Sequence, residues 1–314
     1  PITTVNFATR PADPELIDLE EIEVGSPCDF NFLVVAQWSI RKNLENTIDW
    51  FVEEFKNEEV GLYLKINTIN NSIKDHEITR RKLKNLLNKW KGKRKCKVYL
   101  LHGDLTNQQL DGLYRNPKIN AFINLAHGEG FGLPIFEAAQ AALPVIAPNW
   151  SGHTDFIYMP KKDKKTGKMR ARPFFANVDY TLQPIQEQAV WEPVLIRNSM
   201  WCFPQKFSYK KKLRDVYKNY GRYKKQAKQL QKHINENFSP EKQYKAFAEA
   251  CLGTTVELKD AKHVFVSDMF ASQYVGGAEL SLQTLINKSP DHSVEVNSAG
   301  VTEKTLDFYK DANW

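Results

Sequence analysis

The chain has 314 residues, of which 42% are hydrophobic and 26% are charged. These values are ordinary for a globular protein, and the length suits one large domain or two smaller ones. The net charge of +7 fits a partner carrying phosphates, but a basic surface is more often only solvated, so we expect no nucleic-acid partner. Because no apolar stretch approaches roughly eighteen residues and no signal peptide is visible, we expect a cytoplasmic protein without a transmembrane segment.

The four cysteines lie far apart and form no CxxC pair; they are Cys28, Cys96, Cys202 and Cys251. Such spacing indicates free thiols in a reducing compartment rather than a disulfide framework. No histidine stands at metal-ligand spacing from them. We therefore expect neither a zinc site nor any other bound metal.

The first half of the chain alternates strands with helices. Residues 1–29 contain Pro11, Pro14 and Pro27 and are predicted to form an extended lead-in. Apolar runs rich in β-formers predict strands over 30–37, 61–67, 95–103, 119–126 and 144–149. Helical spacing predicts helices over 43–55 and 76–90, over 106–115 with Thr106 as its cap, and from about Pro134. This alternation predicts a Rossmann-like α/β fold, a parallel sheet with helices on both faces.

The second half follows a different pattern. Residues 158–175 read as a basic hairpin turning at Thr166-Gly167, either an exposed loop or a phosphate-facing one. After Trp191 the pattern becomes helical, with a basic helix over 207–238 whose charges we interpret as a solvated face. Ser239 and Pro240 mark the start of another helix, which runs to residue 252.

A new unit then begins. The pattern predicts a strand over 263–268, a glycine loop entering a helix over 271–287, and a strand over 292–299. This is the opening of a βαβ unit. We therefore expect a domain boundary near 253–262 and a partial Rossmann-like unit over 253–314.

A glycine turn carries the clearest chemical signal of the chain. In "HGEGFGLPIFE" the turn holds Glu129, and Glu137 lies about one turn inside the helix that follows. Amides converge at such a helix start and suit anions or hydroxyl oxygens; here they belong to Gly130, Phe131, Gly132 and Leu133. A carboxylate can accept two hydrogen bonds from a vicinal diol, as in a ribose or a sugar. The spacing alone supports two interpretations equally: a ligand site, or glutamates that lie near a helix start only because its dipole favours negative charge. The sequence contains neither a P-loop motif nor the glycine fingerprint of a dehydrogenase.

The longer stretch "EGFGLPIFEAAQAALPVIAPNWSGHTDFI" is similar to the signature of the retaining glycosyltransferase family 4, whose members have the GT-B fold. Three further segments agree in order: "FLVVAQWSIRKNLENTIDWF", "VYLLHGDLTNQQLDGLY" and "NENFSPEKQYKAF". The resemblance covers about 30–252. It implies that these residues form the half of a GT-B enzyme that binds the sugar nucleotide.

The resemblance also implies roles for individual residues. Glu137 would hold the ribose hydroxyls and Glu129 the transferred sugar, with the amides of the glycine turn near its hydroxyls or the diphosphate. Lys42 aligns with the family's diphosphate lysine. The family's arginine five positions earlier is Gln37 here, and Arg41 would replace its charge.

Backbone near Gly103, Asp104 and Leu105 would meet the base. The family's usual glycine before its "PVIA" stretch is Ala142. GT-B enzymes generally use no bound metal, so the nucleotide sugar is expected as a substrate and no cofactor is required.

The resemblance finally bears on domain organisation. A GT-B enzyme has an acceptor-binding domain before its donor half, and residues 1–29 are too short to form one. The segment "VFVSDMFASQYVGGAELSLQTLI" resembles the start of such a domain. We therefore expect a donor-binding fragment of a tandem glycosyltransferase or a partial gene product, with an acceptor domain from a longer chain or a second copy.

The partners implied are a nucleotide sugar and a saccharide acceptor. Two alternatives remain at this stage. One is a sugar-nucleotide epimerase of GT-B-like fold, and the other is a non-catalytic nucleotide-sugar-binding module.

Overall fold

The computed structural model describes residues 3–16, 18–19, 27–162, 167–252, 263–267 and 293–297. Their contacts define two compact units. The larger unit comprises Thr9–Ser239. The smaller unit comprises Pro1–Ala8 with Pro240–Trp314.

The elements follow each other in chain order. The strands are β1 Asn31–Gln37, β2 Gly61–Asn67, β3 Lys97–Leu101, β4 Ala121–Ile123, β5 Val145–Pro148, β6 Tyr158–Lys162, β7 Met169–Pro173, β8 Ala176–Val178, β9 Tyr180–Pro184, β10 Met200–Pro204, β11 His263–Ser267 and β12 Ser293–Asn297. The helices are α1 Leu44–Phe55, α2 Ile73–Leu87, α3 Asn107–Arg115, α4 Leu133–Gln140, α5 Thr154–Ile157, α6 Lys206–Lys218, α7 Tyr220–Asn237 and α8 Pro240–Leu252.

A six-stranded parallel sheet forms the centre of the larger unit. Its strand order is β3-β2-β1-β4-β5-β8, and every neighbouring pair is parallel. The chain runs outward from β1 in one direction and then returns to add β4 on the other side. The gap between β1 and β4 is therefore the topological switch point, where doubly wound sheets place their ligands. The predicted fold class is confirmed.

Each face of this sheet is covered by its own apolar cluster. Along β1, Phe32 and Val34 belong to one cluster, which also contains Ile48 of α1 and Leu213 of α6. Leu33, the residue between them, belongs to the other cluster, with residues of α4 and α7. Because side chains alternate between the faces of a strand, one apolar run supplies both cores.

Two expectations about element boundaries need correction. The predicted basic helix over 207–238 is two helices, α6 and α7, because the backbone leaves the helical region at Asn219 (ψ 35°). The Asn219 side chain donates to the Asp215 carboxylate at 2.7 Å, a local bond that competes with helix continuation. Helix α2 begins three residues earlier than predicted, because the Ser72 hydroxyl accepts the Asp75 amide at 3.2 Å and caps it.

Short strands were missed in the second half of the chain. The pattern after Trp191 was interpreted as helical, but β10 forms there and pairs antiparallel with β9. Strand β8, which has only three residues, completes the central sheet. Such short elements carry too few alternating positions to give a periodic signal. The predicted hairpin is confirmed as the antiparallel pair β6–β7, with the Thr166 end of its turn outside the described residues.

The smaller unit contains α8 and a parallel pair, in which His263 of β11 is opposite Ser293 of β12. The glycine loop and helix predicted over 271–287 lie outside the described residues. The predicted boundary near 253–262 stays a prediction, although the contacts group α8 with this unit rather than with the sheet.

Cys28, Cys96 and Cys202 are buried thiols, and Cys251 is an exposed one. Across the ranges given above, no helix has the length and apolarity needed to cross a bilayer. No grouping of three or more metal-ligating side chains occurs in the same ranges.

Candidate functional site

The predicted site residues are drawn from several loops at the carboxyl edge of the sheet. Strand β1 ends at Gln37 and is followed by a single 3-10 turn, Ile40–Lys42. Strand β4 leads through Asn124 into the glycine turn. The His127 amide donates to the Arg41 carbonyl at 2.8 Å and joins these two connections. The switch point of the sheet thus brings together segments almost ninety residues apart.

The buried side chain of Glu129 is the centre of a charged cluster at this switch point. Lys42 Nζ lies 2.6 Å from Oε1, and Arg41 Nη1 lies 3.1 Å from Oε2. The Asn124 side-chain amide donates to Oε1 at 2.9 Å. Only 7% of the Glu129 side chain is exposed. Burial alone would raise the pKa of Glu129, but Lys42, Asn124 and Arg41 together lower it, so the carboxyl group is ionised at neutral pH.

A second loop holds the glycine turn in place. The Glu129 amide donates to Ser151 Oγ at 2.7 Å, and the Gly152 amide donates to the Glu129 carbonyl at 3.1 Å. A Cβ added at Gly152 would lie 1.6 Å from the Gly130 carbonyl oxygen, so only glycine allows this approach. Ser151 and Asn124 were not predicted as supporting residues. The "SGH" turn was visible in the sequence, but its approach to Glu129 depends on the tertiary structure.

The missed strand β10 also supports the turn. The Cys202 amide donates to the His127 carbonyl at 3.0 Å, and the His127 ring nitrogen Nδ1 lies 2.6 Å from the Cys202 carbonyl oxygen. The His127 ring stacks on Trp201 at 5.7 Å. The start of the glycine turn is therefore fixed from both sides.

Helix α4 begins at Leu133, as predicted from Pro134. Gly132 precedes it with φ +88°, a left-handed conformation that favours glycine. The Phe131 ring packs on Phe136 at 5.1 Å and on Phe156 at 4.9 Å, so this side chain anchors the turn.

Glu137 lies in the second turn of α4 and has a separate set of neighbours. Its carboxylate is 3.8 Å from Nη1 of Arg10, and 21% of its side chain is exposed. Burial raises the pKa of Glu137; Arg10 and the Tyr114 hydroxyl oppose this rise, and the charge of Asp111 adds to it. Arg10 comes from the predicted lead-in and was not predicted as a site residue.

The residues predicted to meet a base lie at the end of β3. Gly103 has φ +111°, and its carbonyl oxygen accepts a hydrogen bond from Lys65 Nζ at 2.6 Å. Asp104 accepts from the Asn71 side chain at 2.5 Å, and Leu105 packs partly against the core. Burial lowers the pKa of Lys65.

Gln37 is oriented toward the end of β2. Its side-chain amide donates to the carbonyl oxygens of Thr68 and Ile69 at 3.3 and 3.4 Å. Within the described residues, no hydrogen bond or ion pair joins Gln37 to Glu129 or Lys42. Arg41 carries the second positive charge of the cluster, and its replacement of the family's arginine stays a prediction.

This arrangement can bind an ionic and hydroxylated ligand. Lys42 and Arg41 are cations at the carboxyl end of a parallel sheet, the usual position for phosphate groups. The carboxylates of Glu129 and Glu137 have the chemistry to accept hydrogen bonds from hydroxyl groups. A molecule that combines a diphosphate with sugar rings matches both features.

The sequence model of one family, GT4-conflict, "Family 4 Glycosyltransferase in conflict systems", matches residues 76–247. This match covers more than half of the chain and includes Glu129 and Glu137. The chain belongs to this family of glycosyltransferases. Arg41 and Lys42 precede the matched region, and the structure joins them to it through Glu129. No curated protein matches the sequence.

Among solved structures, the chain is similar to the C-terminal domain of a group 1 glycosyl transferase family protein from Francisella tularensis, at 14% identity and a TM-score of 0.44 over 68% of this chain and 88% of that one. It is similar to sucrose-phosphate synthase from Thermosynechococcus elongatus, at 15% identity and a TM-score of 0.47, over 71% of this chain and 44% of that one. It is also similar to HepE from Anabaena, solved with UDP and glucose, at 12% identity and a TM-score of 0.46, over 71% of this chain and 48% of that one. The chain spans less than half of the last two.

Proposed function

We propose that this chain is the donor-binding half of a retaining glycosyltransferase, which transfers a sugar from a nucleotide sugar to a hydroxyl group of a saccharide or other acceptor. The observation that carries this proposal is the charged cluster around the buried Glu129 side chain at the switch point, followed directly by the helix that bears Glu137. An acceptor domain would come from a longer chain or from a second copy.

In the proposed reaction, the bond between the sugar and the diphosphate breaks, and its electron pair leaves with the diphosphate. The acceptor oxygen forms the new glycosidic bond, and its proton passes to the departing diphosphate. Negative charge grows on the departing nucleoside diphosphate. Lys42 and Arg41 would stabilise that charge, an electrostatic role in which the cations are already in place before the reaction. Glu129 contacts both cations, at 2.6 and 3.1 Å, and holds them in position.

The two carboxylates would divide the recognition of hydroxyl groups. Glu129 would accept from the transferred sugar, and Glu137 from the ribose diol. The backbone near Gly103 would meet the base, held by the bond from Lys65. Each of these roles is specific enough to be tested by changing one part of the ligand.

The test is calorimetric titration of the chain with UDP, GDP and ADP and with the corresponding nucleosides. Glu137→Ala should weaken binding of both diphosphate and nucleoside by about 1–3 kcal/mol, because a diol loses a charged acceptor. Lys42→Ala should weaken the diphosphate much more than the nucleoside. Lys211→Ala is the matched control, because it removes an exposed lysine of α6 and should change neither affinity.

A chain that binds none of the three diphosphates contradicts the proposal. Equal losses for diphosphate and nucleoside in Lys42→Ala would remove the diphosphate role from that lysine. Turnover of a nucleotide sugar with and without a saccharide acceptor then identifies the reaction. Transfer releases the nucleoside diphosphate and extends the acceptor, whereas conversion to another intact nucleotide sugar would indicate an epimerase.

A further inference from the structure

Residues 9–16 form the N-terminal strap, a segment that is hydrogen-bonded to helices α3 and α4. The Thr9 amide donates to the Phe238 carbonyl at 2.7 Å. Farther along, the Glu15 amide donates to the Gln108 carbonyl at 3.1 Å. A Cβ at Gly112 of α3 would lie 1.9 Å from the Glu15 carbonyl oxygen. The strap therefore occupies a fixed path, and its backbone is in direct contact with α3.

This path places Arg10 beside Glu137. Gln140 of α4 donates to the Arg10 carbonyl oxygen at 2.5 Å and fixes its backbone. The guanidinium reaches Asn107 Oδ1 at 3.3 Å and the Glu137 carboxylate at 3.8 Å. Half of the Arg10 side chain is exposed, so it approaches Glu137 from the solvent side.

The groups that face Glu137 from the protein side do not balance its charge. They come from α3: the hydroxyl of Tyr114, which is fully buried, and the carboxylate of Asp111. Asp111 is itself paired with Arg115 at 2.8 Å, through only one of its oxygens. Arg10 is therefore a cation beside Glu137, and the carboxylate of Asp111 lies in the surroundings of Glu137 as well.

We propose that Arg10 is a positioning residue of the donor site, which holds the Glu137 carboxylate through their 3.8 Å contact so that it accepts hydrogen bonds from the ribose diol. The inference rests on the proposed function, because it requires that Glu137 binds ribose. The strap thereby becomes part of the site rather than a passive lead-in. Loss of Arg10 would leave Glu137 more easily protonated and weaken its hold on the diol.

The experiment compares the nucleoside diphosphate that binds best with its 2′,3′-dideoxy form, from pH 5.5 to 8. Arg10→Ala should weaken the diol-bearing ligand by about fivefold at pH 7, since the pair is partly exposed. The loss should grow as the pH falls, because a higher Glu137 pKa removes the carboxylate earlier. The dideoxy ligand should bind the variant and the wild type equally.

Two further variants separate this role from a structural one. Arg10→Lys should restore most of the affinity, because a lysine keeps the charge. Asp13→Ala removes another strap contact, the 2.5 Å bond from Gln108, without touching Glu137, and should leave the ratio of the two ligands unchanged.

If the wild type discriminates between the two ligands and Arg10→Ala discriminates equally well at every pH, the inference is wrong. An equal effect of Asp13→Ala would also overturn it, because the strap would then act only as structure. If the wild type binds both ligands equally, Glu137 does not hold the ribose and the proposed function fails first. These outcomes are distinguishable within one set of titrations.

Discussion

Gly152 is the position at the candidate site where an added side chain would have the least room. In Gly152→Ala, the new Cβ would start 1.6 Å from the Gly130 carbonyl oxygen and 2.7 Å from its carbonyl carbon. Cβ atoms essentially never lie closer than 3.0 Å to such atoms, so the two loops must separate by about 1.4 Å, the difference between 3.0 and 1.6 Å. The obstacle is backbone on both sides, and no side-chain rotation relieves it.

The displacement falls on the turn that carries Glu129. It would stretch the 3.1 Å bond from the Gly152 amide to the Glu129 carbonyl and shift the carboxylate away from Lys42. Overpacking of this kind costs about 1–3 kcal/mol of stability. A misplacement of about 1 Å near reacting groups lowers a rate by about 100-fold. We expect both effects in Gly152→Ala.

Gly130→Ala is the matched control, because it changes the same turn but its added Cβ would meet nothing within 4 Å. The assays are urea unfolding, calorimetric titration with the best-binding nucleoside diphosphate, and turnover of its nucleotide sugar. We expect Gly130→Ala to keep the stability of the wild type and Gly152→Ala to lose stability, affinity and turnover. A Gly152→Ala protein with the stability of the control and the affinity of the wild type would refute the reasoning.

Other predictions follow from the described contacts. Glu129→Gln should lower the free energy of unfolding by about 2–3 kcal/mol in urea titrations at pH 7, because Lys42, whose side chain is only 12% exposed, loses its closest anion. The pKa of Glu129 in the folded protein is lower than the ordinary carboxyl pKa of 4.5. Its contribution to stability is therefore complete above pH 4.5 and is lost as the pH falls through the pKa of the folded state. Glu129→Gln should differ less from the wild type at about pH 3 than at about pH 7. Gly112→Ala should cost about 1–3 kcal/mol because its Cβ meets the Glu15 carbonyl, whereas Gly221→Ala, with open space in α7, should stabilise by up to about 1 kcal/mol. Equal unfolding midpoints for these two alanine variants would contradict the close contact of the strap.

The sequence by itself determined the fold class and the position of the glycine turn. Strands such as β2 were predicted at their observed bounds, because an apolar run bounded by a glycine has a clear length and period. Thr106 was predicted as a cap, and it forms a capping box with Gln109, since that interaction spans only three residues. Signals of this kind are local, so a single sequence is enough to recognise them.

Only the tertiary structure decided which of these segments meet. Glu129 and Lys42 are 87 residues apart, and the order of the strands brings them within 2.6 Å. Arg10 and Glu137 are still farther apart in sequence, and nothing near Arg10 marks it as a neighbour of a carboxylate. The physical reason is that an extended segment has no periodicity, and its path is set by the surface of the helices on which it packs. The charge partners of both glutamates, and hence their ionisation, follow from the assembled sheet rather than from any stretch of the sequence.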